Sequence, residues 1–357
     1  MGDFWIWNYE LRTLGALNSK TTRRAYPGAL IRNEAGFGCL HSWPELGDPT
    51  LEDCLVDLAN GQESALVRRT LDCLRVDGRA REENRSLFEG LHVPSSHATL
   101  PLLDELVLSE AVKRGFTYVK VKGGKGGGMD LRRIRLMMPM YPELKWRIDF
   151  NENGEVGELL EELSYWSEAE KAAIDFLEDP VPYFSGGWER LAKESGLTMA
   201  LDRNLEKASS DVEVQVIKPA VQEMKSGPRV IVTSYMDHPL GQAFAAWEAA
   251  RIGVKEICGL QTHGLFEANE FIEALGNLSP EFNMPEGTGL GFDHSKASSE
   301  RATHFSLPLE PEVRKKRCRL KPPFFLAHVS TSFTKGVSSM EGLQASRQTP
   351  SQFPQAY

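Results

Sequence analysis

From about Val93 onward the sequence falls into a cadence. A short β-rich run is followed by a stretch with helical apolar spacing, and the pair repeats. The runs are YVKVK, KWRIDFN, AIDFLEDP, TMALDRN, VEVQVIKPA, RVIVTSYMD and KEICGLQTH. Pieces such as GELLEELSYWSEAEKA and QAFAAWEAARIG, between them, carry helical spacing. Each crossover helix returns the chain to the same end of the sheet, so strands arranged this way pair in parallel. With a first strand expected at His92–His97 (HVPSSH), the runs reach the number that closes a (β/α) barrel of the TIM type rather than a doubly wound sheet.

The barrel cadence assigns residues 92–300 to one catalytic domain. Residues 1–91 read as an α+β domain. GALIR and GFGCL are separated by the turn-like NEA, as in a β-hairpin, and helices follow at Leu51–Asn60 and Ser64–Leu91, the second broken at Asp77-Gly78. Residues 301–357 form a C-terminal segment expected to pack partly on the first domain. Its last stretch, rich in Ser, Gln, Gly and Pro, is expected to be disordered.

Composition removes several classes of function. A net charge of −9 argues against a phosphate-backbone binder, which carries a basic face; the run Arg314–Arg317 is expected to be a solvated patch. The five cysteines are scattered without a CxxC pair, which suggests neither structural zinc nor disulfides and places the chain in a reducing cytosol. The N-terminus lacks the charged and apolar regions of a signal peptide, and no apolar run is long enough for a bilayer. The expected partner is therefore a small molecule, not nucleic acid or membrane.

In a barrel the C-terminal ends of the strands make the active face. Here Lys120 and Lys122 close the second strand and Asp149 and Asn151 the third. Glu178 and Asp179 close the fourth, Asp202 the fifth and Lys218 the sixth. Three consecutive strands thus aim one acid each at the same point. Bare carboxylates in such a site repel one another unless a cation lies between them, and hard oxygen donors suit Mg²⁺ or Mn²⁺. Period-two alternation turns Lys120 and Lys122 inward and Val119 and Val121 outward. A lysine beside a divalent cation and a second ammonium has its neutral amine favoured and can act as a base. The matching substrate is a carboxylate with an α-proton to lose. Asp179, before Pro180, reads instead as a helix cap or salt-bridge partner.

The stretch GGKGGG (residues 123–128) lacks the GxxxxGK[ST] spacing of a phosphate-binding loop. It is expected to be a flexible βα connection behind the lysines.

KVK at 120–122, RIDFN at 147–151, DFLEDP at 175–180, MALDRN at 199–204 and VIKPA at 216–220 resemble the enolase superfamily, and within it the o-succinylbenzoate synthase family. Ser19–Leu55 is similar to that family's capping domain with its substrate-covering loop. VTSYMDHPLGQ is similar to the end of its seventh strand, and GLQTHGLFE and GTGLGFD to its eighth-strand region. The resemblance implies a modified (β/α)7β barrel under an N-terminal α+β cap. It further implies a lyase of menaquinone biosynthesis that dehydrates 2-succinyl-6-hydroxy-2,4-cyclohexadiene-1-carboxylate to 2-succinylbenzoate.

On this resemblance Lys122 removes the α-proton and then protonates the departing hydroxide. Lys218 stabilises the enediolate from the other face, and Asp149, Glu178 and Asp202 bind Mg²⁺. Lys120 orients Lys122, while Arg147, Asn151 and Ser234 support the metal shell or the substrate carboxylates. The sequence has Arg203 where the family has Glu. An N-acylamino acid racemase or dipeptide epimerase, and a muconate-type cycloisomerase, share the lysine frame; the epimerase needs a DxD at the eighth strand, and GLQTHG has none. A non-catalytic barrel binding protein would be expected to have lost some of these ligands and lysines. His238 reads as a plain loop residue and His263 as a residue near the substrate.

Overall fold

The computed structural model describes residues 3–15, 17, 23–101, 103–183, 185–208, 212–225, 227, 229–293 and 303–306. The first domain is built on an antiparallel sheet. In β1 (Asp3–Arg12) Asn8, Glu10 and Arg12 face solvent while Leu11 is buried, the alternation of a half-covered strand. β1 pairs with β2 (Ala25–Arg32) and β2 with β3 (Phe37–His41). The NEA turn joins β2 to β3 as expected: the Asn33 side chain accepts the N–H groups of Ala35 and Gly36, at 3.1 and 2.7 Å. Helix α1 (Leu51–Ala59) starts at a Thr50–Asp53 capping box, and α2 (Ala65–Glu82) crosses the sheet.

The expected break at Asp77-Gly78 is absent, and α2 runs straight through. Gly78 is there for contact, because β3 starts where Gly36 lies directly against it. A methyl group on Gly36 would stand 2.6 Å from the Gly78 Cα and closer still to the Leu74 carbonyl. Asp77 is fully buried and accepts the N–H groups of Phe37 and Leu290 while pairing with Arg81. Gly36→Ala is therefore expected to lower stability by about 1–3 kcal/mol through overpacking, read from urea unfolding of the purified protein.

The second domain follows the βα cadence: β4 (Ala98–Leu100), α3 (Glu105–Lys113), β5 (Tyr118–Lys122), α4 (Gly128–Met137), β6 (Lys145–Asp149), α5 (Val156–Ser164), α6 (Glu168–Ala173), β7 (Ile174–Glu178), α7 (Gly186–Ser195), β8 (Met199–Leu201), β9 (Val214–Ile217), β10 (Arg229–Val232) and α8 (Pro239–Arg251). All sheet pairings are parallel, in the order β4-β5-β6-β7-β8-β9-β10. The first strand lies just past the predicted HVPSSH. The predicted last strand, KEICGLQTH, closes the barrel by two parallel bridges only, Ser96 with Cys258 and Thr233 with Gly259. Among the described residues the β8–β9 and β9–β10 connections carry no α-helix, so the cadence lapses there. After closure come α9 (Glu270–Leu275) and β11 (Thr303–Ser306), which returns to pair with β1.

Strand alternation separates two cores. Val119, Val121, Trp146, Ile148 and Leu177 pack outward under the helices. Phe176, Ala200, Val214, Val216 and Ile231 fill the barrel interior. Glu178, Asp202 and Lys218 follow interior residues by two positions, so the apolar plug carries them at its rim. The expected solvated patch at Arg314–Arg317 and the expected disorder of the tail concern residues outside those described, as does part of the predicted substrate-covering loop.

Candidate active site

Register sets up the polar layer. Lys122 is paired with Asp149, and Asp149 with Glu178, across β5, β6 and β7. The Lys122 Nζ donates to Asp149 Oδ2 at 2.6 Å. The Lys120 Nζ donates to Glu178 Oε1 at 2.6 Å and lies 3.0 Å from the same Asp149 oxygen. Lys218 forms a short ion pair with Asp202. The structure therefore gathers the predicted acids and lysines into one layer of alternating charge.

The environment distinguishes the two β5 lysines. Lys120 is the deeper, with 13% of its side chain exposed against 32% for Lys122. Burial works against its charge, but the carboxylates of Asp149, Glu178 and Asp202 outweigh that and raise its pKa well above the usual ammonium value. Lys120 is a fixed cation, and Lys122 is the one left near the mouth. Burial also raises Asp149, yet Lys120 and Lys122 together hold it well below the usual carboxylate range. Glu178 has only Lys120 and is pushed up to about 7 by burial and by its neighbours Asp149 and Asp202. The layer is thus short of positive charge at Glu178.

The turns beyond the strands bring in two residues the sequence reading undervalued. Asp179 is not a helix cap. It accepts the backbone N–H groups of Asp202 and Arg203, both at 3.1 Å, and burial, then Asp202 and Glu178, raises its pKa. Tyr235, past the end of β10, has its ring centroid 5.9 Å from the Lys218 Nζ and donates its hydroxyl to Asp48 of the first domain at 2.8 Å. The Trp43 indole in turn donates to the Tyr235 carbonyl at 2.8 Å. Neither carries a sequence signal, because both depend on loops brought together only by folding.

Other expectations change. Arg147 is completely buried. Its Nε donates to Asp175 and its Nη1 to the Ile257 carbonyl, at 2.7 and 2.8 Å, and its planar head lies near the Tyr118 and Phe176 rings. Its Nε and Nη1 are thus committed inside the barrel, below the rim, which points to a structural role rather than substrate support, and its Nη2 is buried without a hydrogen-bond partner. The Ser234 hydroxyl is hydrogen-bonded to that of Thr262, and the neighbouring Thr233 hydroxyl is buried without a hydrogen-bond partner. Asn151 stays at the rim and accepts from the Arg203 Nη2 at 3.3 Å. His238 is the N-cap of α8, accepting the Leu240 N–H, and His263 is buried with its Nε2 against the Gly276 carbonyl. The glycine-rich connection is hydrogen-bonded to its surroundings: Gly123, Gly124 and Gly126 donate to the Asp149 carbonyl, Asp130 and the Asn153 carbonyl. Gly126 and Gly127 hold left-handed φ values of 80° and 88° against Glu158 and Phe150.

Asp149, Glu178 and Asp202 offer only hard oxygen donors, and the charge deficit at Glu178 is what a divalent cation would remove, so the donor set fits Mg²⁺ or Mn²⁺. In the present arrangement those oxygens are turned to lysines, and among the described residues no three ligating side chains stand close enough to hold an ion together. Holding one requires the acids to turn from the ammonium groups toward one another.

An antiparallel cap on a parallel barrel, with acids and lysines on successive strand ends, is the fold of the enolase superfamily. An enolase-superfamily protein from Listeria innocua superposes with a TM-score of 0.69 at 15% identity, covering 86% of this chain and 99% of that one. A dipeptide epimerase from Enterococcus faecalis gives 0.61 at 17%, covering 82% and 99%. Residues 4–80 match the family described as O-succinylbenzoate synthase, N-terminal domain. The o-succinylbenzoate synthase of Bdellovibrio bacteriovorus is 30% identical over 314 residues, 80% of this chain and 93% of that protein. The chain belongs to the o-succinylbenzoate synthase family.

Proposed function

We propose that the protein dehydrates 2-succinyl-6-hydroxy-2,4-cyclohexadiene-1-carboxylate to 2-succinylbenzoate and water, a step of menaquinone biosynthesis. The observation that carries this reading is the meeting of Lys122 and Lys218 with Asp149, Glu178 and Asp202 at one barrel mouth, in a chain of this family. Asp149, Glu178 and Asp202 would hold a divalent cation, Mg²⁺ or Mn²⁺, which would supply positive charge to stabilise the developing enediolate. Lys122, as the free amine, takes the α-proton, and its electron pair moves into the ring and the carboxylate. The ring double bond then forms as the C–O bond breaks, and the Lys122 ammonium returns the proton to the leaving hydroxide. Both proton transfers use one amine on one face, so the elimination is syn. Lys218 holds its charge against the other face, backed by the Tyr235 ring. Lys120 keeps Asp149 and Glu178 in place and so orients Lys122. The free thiols of Cys39, Cys54, Cys73 and Cys258 suit a reducing cytosol.

Purified protein with Mg²⁺ and that substrate is expected to convert the cyclohexadiene to the aromatic product, followed by absorbance. Excess EDTA should lower the rate at least 100-fold, and added Mg²⁺ or Mn²⁺ should restore it. No conversion, alongside racemisation of an N-acyl amino acid, would transfer the assignment to the epimerase-type reaction, which the same pair of lysines could perform.

A further inference from the structure

Three carboxylates on three strands can meet at one point only if the turns that carry them keep a fixed spacing. Those turns are stitched together. The Phe150 N–H donates to the Glu178 carbonyl at 3.0 Å, the Glu152 N–H to the Asp179 carbonyl at 2.7 Å, and the Asp179 N–H to the Ala200 carbonyl at 3.0 Å. These bonds join the β6 turn to the β7 turn, and the β7 turn to β8. What fixes the far side, where Asp202 leaves β8, is the Asp179 side chain. Its Oδ1 accepts the Asp202 N–H and its Oδ2 the Arg203 N–H. The Arg203 Nη2 then reaches back to the Asn151 side chain and completes a ring of contacts around the acids.

Asp179 occupies an uncommon position for these bonds. It is 1% exposed, and it holds φ at 40°, a left-handed value that favours Gly or Asn, directly before Pro180. No α-helix begins at Asp202 or Arg203 to make this an ordinary cap.

We propose that Asp179 is a positioning residue whose carboxylate, by binding the backbone of Asp202 and Arg203, holds the backbone of Asp202 at a fixed place beside the β7 turn, from which its side chain and Glu178 can reach one divalent ion. It touches neither substrate nor ion. The proposal rests on the reading of Asp149, Glu178 and Asp202 as the ligands. Without the Asp179 carboxylate the β8 turn loses its anchor, and Asp202 no longer has a fixed place from which to turn from Lys218 toward Glu178.

The left-handed backbone supplies two variants that should fold. Asp179→Gly suits the φ value and removes the acceptor, whereas Asp179→Asn also suits it and keeps Oδ1, which lies within reach of both N–H groups. Binding of Mn²⁺ alone is measured on the full-length protein by electron paramagnetic resonance of the free ion, with melting temperature recorded in parallel. The glycine variant is expected to bind Mn²⁺ about 10- to 100-fold more weakly, the usual size for losing a partner that orients a ligand. The asparagine variant should stay within about threefold of wild type, the rescue expected if the acceptor is what matters. Wild-type affinity in the glycine variant, or equal weakening in both, overturns the proposal. Should the glycine variant not fold, Asp179→Ala, which likewise leaves no side-chain acceptor, is read the same way. Asp202→Asn is the separate control: if it keeps full Mn²⁺ affinity, the ligand assignment itself is wrong, whatever Asp179 does.

Discussion

Lys122→Ala is expected to lower turnover about 10³- to 10⁴-fold while leaving the fold intact. Positioned acid–base groups contribute about 10²- to 10⁴-fold, and here one amine serves both the proton removal and the proton return. The fold should survive because Lys122 is the more exposed of the β5 lysines, and Asp149 keeps Lys120 when Lys122 is gone. Mn²⁺ affinity should change by no more than a few-fold, because no ligand is removed. Lys122→Arg sharpens the test: the guanidinium keeps the charge but does not deprotonate, so it should be as inactive as alanine if the base is what counts. Turnover within tenfold of wild type in either variant would remove Lys122 from the reaction.

Arg147→Met is expected to cost about 3–5 kcal/mol of stability, at the lower end of that range, with KM nearly unchanged in the protein that remains folded. The guanidinium is fully buried, and its loss strips the Ile257 carbonyl and one side of Asp175 of their donor. Asp175 retains Arg229 at 2.9 Å, which limits the damage. His97 is affected as well. Burial first, and then the charges of Arg147 and Lys120, keep its pKa well below the usual histidine range, so the ring is neutral. Its Nδ1, 2.9 Å from the Arg147 Nη1, is therefore the acceptor of that hydrogen bond. Denaturant unfolding measures the stability loss. A tenfold rise in KM with unchanged unfolding would instead return Arg147 to the substrate.

The barrel was legible because parallel strands covered by helices leave a repeating apolar signature. The rim was legible because alternation is strict: once YVKVK and KWRID are strands, Lys120, Lys122 and Asp149 must share the inner face. The same alternation misled at Arg147. It places the side chain inside the barrel but does not tell the rim from the interior below it, where Asp175 waits as a partner. Glycine misled in a similar way. Gly78 looks like a helix breaker to any local rule, and the reason for it, the backbone of Gly36, is 42 residues distant in sequence. The GGKGGG connection looked loose because its restraints, from Asn153, Glu158 and Phe150, lie beyond the next helix.

What the amino-acid order determined on its own was periodic: the cadence of strands and helices, and which strand ends carry acids or amines. Local covalent geometry and burial enforce those periods wherever they occur. Tertiary structure alone decided which polar groups are spent on one another: Lys120 between two carboxylates, Tyr235 on Asp48, and Asp179 on the backbone beside Asp202. A hydrogen bond acts over about 3 Å, and its partners here come from segments that only the closed barrel and its cap bring that near.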